Sequence, residues 1–152
     1  MIDVMFDVDG TLMNVDERVF DAKNNAEPGK RMNWDTFLDP RSMKELDTPN
    51  GDVVLMCHLL SRVGRIIITS ARNERHRKVT TEQLWACGIM FEKLYLRDDG
   101  DFRHDDIVKE ELLTKIRSDG YDPKIVFDDR DQVVKKWREL GLICYQVREG
   151  KF

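Results

Sequence analysis

Short apolar runs alternate with longer amphipathic stretches along most of this chain, and the runs end in polar residues able to carry chemistry. Alternation of this kind predicts strands linked by helices, and so an α/β fold: a Rossmann-like parallel sheet with helices on both faces. Strands are expected at Ile2–Val8, Arg65–Thr69, Lys93–Leu96, Lys124–Phe127 and Leu142–Val147. Ile66-Ile67-Ile68 is continuously apolar, as a strand buried on both faces requires. Helices are expected at Val53–Val63, Asn73–Cys87, Asp105–Arg117 and Gln132–Leu140, with Gly64, Gly88, Gly120 and Gly141 as stops.

The length of 152 residues favours one domain over 1–152, and 41% hydrophobic residues in recurring runs exclude a disordered chain. A net charge of -4 argues against a protein that coats nucleic acid through bulk positive charge, while leaving room for a local basic groove. Cys57, Cys87 and Cys144 are odd in number and far apart, which reads as free thiols in a reducing compartment. Without a charged and apolar leader or an apolar run of membrane length, the expectation is a soluble, cytoplasmic protein with no membrane partner.

Residues 13–51 break the pattern. The stretch is polar and poorly periodic, contains Pro28, Pro40 and Pro49, and is too long for a plain loop. It is expected to form a small cap inserted after the first strand, anchored by Trp34, Phe37 and Leu38.

In open parallel sheets ligands bind beyond the carboxyl ends of the strands. Three acidic or basic clusters stand there. In Asp7-Val8-Asp9-Gly10-Thr11-Leu12, strand alternation points Asp7 and Asp9 to the same side, and Gly10 lets the backbone approach a ligand. Asp128-Asp129 ends another apolar run and converges on the same edge. Several carboxylates gathered at one edge repel, and a hard divalent cation such as magnesium offsets them. The plainer alternatives are an acidic turn and a cap for the helix near Gln132. Arg72 to Lys78 places cations at a predicted helix start, where they oppose the macrodipole unless an anion joins them. Arg72 is the candidate phosphate ligand there. Asp105 and Lys109 are spaced to pair on one helix face. His58, His76 and His104 have no metal-ligand spacing.

Together these residues resemble the haloacid dehalogenase-like (HAD) phosphatases. Asp7-Val8-Asp9-Gly10-Thr11 is similar to motif I, Thr69-Ser70 to motif II with Ser70 the better match, Lys109 to motif III and Asp128-Asp129 to motif IV. Ser70-Ala71-Arg72, Asp105 to Glu111, Asp128-Asp129-Arg130, Gln132-Val133-Val134 with Trp137-Arg138, and Gln146-Val147 with Gly150 and Phe152 are similar to the phosphatase domain of polynucleotide kinase-phosphatases of the bacteriophage T4 type.

The resemblance implies a magnesium-dependent phosphomonoesterase. Asp7 would be the nucleophile that forms an aspartyl-phosphate, and Asp9 the acid and then the base. Ser70 and Lys109 would bind the transferring phosphoryl oxygens, with Asp105 orienting Lys109. Magnesium would be held by Asp7, the Asp9 carbonyl and a motif IV carboxylate, Asp129 before Asp128. Arg18, Arg72, Thr11 and Asp105 join as substrate-binding candidates. The implied substrates are 3'-phosphorylated DNA or RNA ends. Mononucleotides are the alternative, as for a 5'(3')-nucleotidase, and a non-enzymatic binding domain is disfavoured by the complete motif set. Gly29-Lys30 is followed by Arg31 with no glycine five residues before it, so no ATP-cradling loop and no kinase activity are expected on this chain.

Overall fold

The computed structural model describes residues 1–150; Phe152, at the end of the C-terminal stretch compared above, lies outside the described residues. In chain order the elements are β1 Ile2–Phe6, β2 Met13–Asn14, α1 Asp16–Asn24, α2 Trp34–Phe37, α3 Pro40–Leu46 and β3 Thr48–Pro49. There follow α4 Gly51–Leu60, β4 Gly64–Asn73, α5 Arg77–Ala86, β5 Lys93–Arg97, α6 Asp105–Ser118, β6 Ile125–Arg130, α7 Asp131–Glu139 and β7 Ile143–Gly150. A short 3-10 turn, Glu74–His76, joins β4 to α5.

The main sheet has the order β5-β4-β1-β6-β7, and each neighbouring pair is parallel. This is the expected α/β architecture. Consecutive strand residues face opposite layers because the side-chain period is two. Val4, Phe6, Ile66, Ile68, Leu94 and Leu96 pack in the layer that holds Val53 and Cys57 of α4, Leu84 of α5 and the insert residues Ala22 and Phe37. Met5, Ile67, Val126 and Cys144 pack in the other layer with Leu112 and Ile116 of α6 and Trp137 of α7. Each layer removes several large side chains from water at roughly 1.5–3 kcal/mol apiece. Val4, Met5 and Phe6 of the central strand are fully buried.

The stretch 13–51 is not a loop. It forms α1, α2 and α3 beside a two-stranded antiparallel ribbon in which Met13 pairs with Pro49 and Asn14 with Thr48. Asn33 caps α2 by accepting from the Thr36 N–H, and Asp39 caps α3 by accepting from the Ser42 N–H, with Pro40 in the first turn. Asn50 Nδ2 donates to the Thr11 carbonyl at 2.8 Å and ties the end of the insert to the turn after β1. Phe37 is buried, as an anchor should be, while Trp34 is half exposed and stacks edge-on against it at 5.7 Å.

Among the described residues no helix is long and apolar enough to cross a membrane. The three cysteines are free, and burial pushes the Cys57 and Cys144 thiols up to about 12.

Candidate active site

β1 lies at the sheet centre, with β4 on one side and β6 on the other, so its carboxyl end is the topological switch point. A cavity of about 590 Å³ opens there. Its floor includes Asp7, Asp9, Ser70, Lys109 and Asp128, and α2 supplies one wall through Trp34, Asp35 and Phe37.

Asp7 follows directly on β1, and its N–H donates to the Phe127 carbonyl at 3.0 Å, which locks it beside β6. Lys109 reaches it from α6: Nζ lies 2.7 Å from Asp7 Oδ1 and also donates to the Thr69 carbonyl and hydroxyl at 3.2 Å each. Its distance to Asp128 Oδ2 is 3.5 Å. Burial works against the Lys109 charge, but Asp7 and Asp128 outweigh it and hold the ammonium above its ordinary range. Asp128 is oriented by Trp137, whose Nε1–H donates to Oδ2 at 3.0 Å, and Asp128 Oδ1 accepts from the Asp129 N–H at 2.8 Å.

One oxygen from each of Asp7, Asp128 and Asp129 falls within a 4.8 Å group, and all three residues are buried. Burial and the neighbouring Asp7 and Asp128 charges push Asp129 up to about 9. Burial, offset in part by Lys109, leaves Asp7 at about 7. Three buried carboxylates facing one ammonium lack positive charge, and their hard oxygens suit a divalent cation. Gly10 makes room for this group. It sits at φ +81°, and a Cβ there would overlap the Asp129 carboxylate.

Asp9 occupies different surroundings. β1 ends at Phe6 and the chain turns; Asp7 and Asp9 both line the cavity, but they take different partners. Asp9 Oδ1 accepts from Arg18 at 2.5 Å and from Arg72 at 2.6 Å. Burial opposes its charge, but the two guanidiniums together hold the Asp9 carboxyl well below the usual range. Asp47, which follows α3, accepts from the same two arginines.

Several expectations change here. Arg72 stands within β4, ahead of the helix; its guanidinium bridges Asp9, Asp47, Thr80 and Gln83. Arg18 is likewise fully buried among carboxylates and does not line the cavity. Both guanidiniums are engaged by acids, and Arg72, unlike Arg18, also lines the cavity. The Arg72 to Lys78 stretch forms no continuous basic face: Arg77 pairs with Glu74 at 2.7 Å, His76 is buried, and Arg75 reaches the cavity wall. Thr11 is buried and donates to Asp7 Oδ2 at 3.1 Å, so it braces the nucleophile candidate instead of facing substrate. Asp105 does not orient Lys109. It accepts from Arg97 NH2 at 2.5 Å and pairs with Arg130 NH1. Ser70 lines the cavity, and its oxygen accepts from the Arg72 N–H at 3.1 Å.

Asp47, Thr69 and Arg97 were not singled out as site residues. Thr69 was legible as a strand-end residue. Arg97 ends β5 beyond the predicted boundary, and Asp47 lies in an aperiodic segment where nothing marks it.

Residues 2–152 match the family described as the polynucleotide kinase PNKP phosphatase domain. The chain belongs to that family. It is a HAD-type phosphatase. A chain of the Pnkp1/Rnl/Hen1 RNA repair complex is 30% identical, with a TM-score of 0.77. The match covers 98% of this PNKP-type domain but only 43% of that chain, so the domain spans less than half of it. A haloacid dehalogenase-like hydrolase from Streptococcus pneumoniae shares the fold at 12% identity and TM-score 0.67, covering 96% of this chain and 84% of that one. A HAD enzyme from Bacteroides thetaiotaomicron, solved with magnesium and inorganic phosphate, does so at 13% identity and TM-score 0.60, covering 100% and 96%.

Proposed function

We propose that this PNKP-type domain removes 3'-phosphates from polynucleotide ends through a covalent aspartyl-phosphate, with magnesium as cofactor. The observation that carries the reading is Asp7 at the floor of an open cavity, paired with Lys109 and grouped with Asp128 and Asp129.

Hydrolysis of a phosphate monoester is among the slowest uncatalysed reactions, so charge neutralisation, alignment and a covalent step must combine. Asp7, Asp128 and Asp129 would hold magnesium, with the Asp9 carbonyl as a further ligand; Asp129, which no indole or ammonium holds in place, is the preferred motif IV ligand over Asp128. When bound, the ion neutralises phosphoryl charge and aligns the phosphate with Asp7. Lys109 takes up charge on the transferring phosphoryl group, and Ser70 donates its O–H to a phosphoryl oxygen.

An Asp7 oxygen attacks phosphorus, and the bond from phosphorus to the ester oxygen breaks. Asp9 gives that leaving oxygen a proton. Asp9 is therefore protonated in the substrate complex, although Arg18 and Arg72 favour its ionised form before substrate arrives. A phosphate dianion beside Asp9 raises its proton affinity again. In the second step Asp9 takes a proton from water, the water oxygen attacks phosphorus, and Asp7 is released with free phosphate.

The polynucleotide assignment rests on the family match and on the cavity mouth. Trp34 and Phe102 are exposed there as surfaces for base stacking, and Arg75 lines it as a cation for the backbone, while Arg103 lines it paired with Asp101 and Glu111. Residues 13–51 act as a partial cap that walls the cavity on one side. The test is phosphate release with magnesium from a 3'-phosphorylated oligonucleotide, compared with 3'- and 5'-mononucleotides, with Asp7→Asn as control. Preference for the oligonucleotide, weakening as salt rises, is expected. Preference for mononucleotides would replace end processing with nucleotidase activity, and an active Asp7→Asn protein would remove the covalent mechanism.

A further inference from the structure

The Asp47 side chain is fully buried at the end of α3, does not line the cavity and touches neither Asp7 nor the carboxylates grouped with it. It is nonetheless tied to the site by four hydrogen bonds. It accepts from Arg18 Nε at 2.8 Å, Arg18 NH2 at 3.0 Å, Arg72 NH2 at 3.0 Å and Gln83 Nε2 at 3.1 Å. Those two arginines hold Asp9: Arg18 NH2 donates to Oδ1 at 2.5 Å, and Arg72 donates to the same oxygen through NH2 at 2.6 Å.

Two carboxylates and two guanidiniums thus form a closed, charge-balanced square in which each guanidinium has one acid on either flank. The remaining donors are also used. Arg18 NH1 donates to the Phe37 carbonyl at 2.8 Å, and Arg72 NH1 donates to Thr80 at 3.0 Å and Gln83 Oε1 at 2.6 Å. A guanidinium is a rigid planar fork on a flexible stem, so its direction is set by what its far side binds. Without Asp47 two cations would converge on the single Asp9 carboxylate and repel each other. Asp9 would then be drawn out of line with the leaving oxygen.

We propose that Asp47 is a positioning residue that fixes Asp9 for its acid–base role, acting through Arg18 and Arg72. This rests on the assignment of Asp9 as the acid and extends it to the insert. Arg18 comes from α1, the Phe37 carbonyl from α2 and Asp47 from the end of α3, so the insert builds half of the Asp9 surroundings as well as one wall of the cavity.

A misplaced acid harms an ester whose leaving oxygen must be protonated more than one that departs as a stable anion. The experiment compares phenyl phosphate with p-nitrophenyl phosphate, with magnesium, for the wild-type chain, Asp47→Asn and Asp9→Asn. For Asp47→Asn, kcat on phenyl phosphate should fall about 100-fold or more while kcat on p-nitrophenyl phosphate falls less than about 10-fold, with KM nearly unchanged. Equal loss on both substrates, with Asp9→Asn showing the split, would assign Asp47 a purely structural part and overturn the proposal while sparing Asp9 as the acid. Absence of the split in Asp9→Asn itself would overturn both. If circular dichroism shows Asp47→Asn to be unfolded, Gln83→Met takes its place. It loosens the Asp47–Arg72 pair without removing a charge, and the same split is expected and decides in the same way.

Discussion

Lys109 Nζ lies 2.7 Å from Asp7 Oδ1, and both groups are buried. A buried ion pair is costly to assemble, and breaking it by removing one partner leaves the other charge stranded. Lys109→Met should lower stability by about 3–5 kcal/mol at neutral pH, read by urea unfolding. Turnover should be lost with it. A variant as stable and as active as the parent chain would show that Lys109 does not compensate Asp7.

The turn at Gly10 has no space for a methyl group, because a Cβ there meets the Asp129 carboxylate. Left-handed backbone at φ +81° adds about 1–2 kcal/mol for any L-residue. Gly10→Ala is expected to displace Asp129 as well as strain the turn. The thermal stabilisation produced by added magnesium should shrink strongly. Full retention of that magnesium response would place Asp129 outside the cation site.

The metal-free protein should become less stable as pH rises from 7 to 9. Burial, Asp7 and Asp128 raise Asp129 to about 9 in the folded state, so folding retains a proton that the unfolded chain has already released. That stability is complete below the unfolded value near 4 and disappears as pH passes through about 9. Asp7, at about 7, adds a similar loss at lower pH. The loss between pH 7 and 9 should be on the order of 2 kcal/mol in chelator, and excess magnesium should flatten it. A melting temperature independent of pH over this window in chelator would contradict the raised Asp129.

Trp137 donates its indole N–H to Asp128 Oδ2 at 3.0 Å from within the α6–α7 layer. Trp137→Phe keeps most of the packing and removes the donor. It is expected to cost roughly 1–3 kcal/mol, since a buried acceptor is left unsatisfied. Magnesium affinity should fall as Asp128 loses its orientation. Unaltered affinity would mean that Asp128 is fixed well enough by Lys109 and its own backbone contacts.

The sheet was legible because strand periodicity and glycine stops are local signals. Asp7, Asp128 and Asp129 were legible because strand ends converge at a known edge, whereas Lys109, on α6, was legible only through its resemblance to motif III. The arginines were harder. Arg72 reads as a free cation beside a helix start, and only the fold shows that Asp9, Asp47 and Gln83 enclose it. The i,i+4 spacing of Asp105 and Lys109 is satisfied on the helix, yet Arg97 and Arg130 compete for Asp105 and Asp7 takes Lys109. Spacing identifies which side chains can meet, but not which partner offers the better contact. Helices as short as α2 and α3 carry too few turns to show a period.

Asp7 draws its partners from α6, β6 and Thr11 of the turn after β1, while Asp9 draws them from the insert and β4. On the proposed mechanism the chemical labour would be divided between the two sides of the sheet, with one handling phosphoryl charge and the other the proton. Substitutions placed in opposite layers should act independently, whereas those within a layer should be strongly coupled. Such a scaffold can alter its insert to suit a new leaving group without disturbing the cradle that accepts the phosphate.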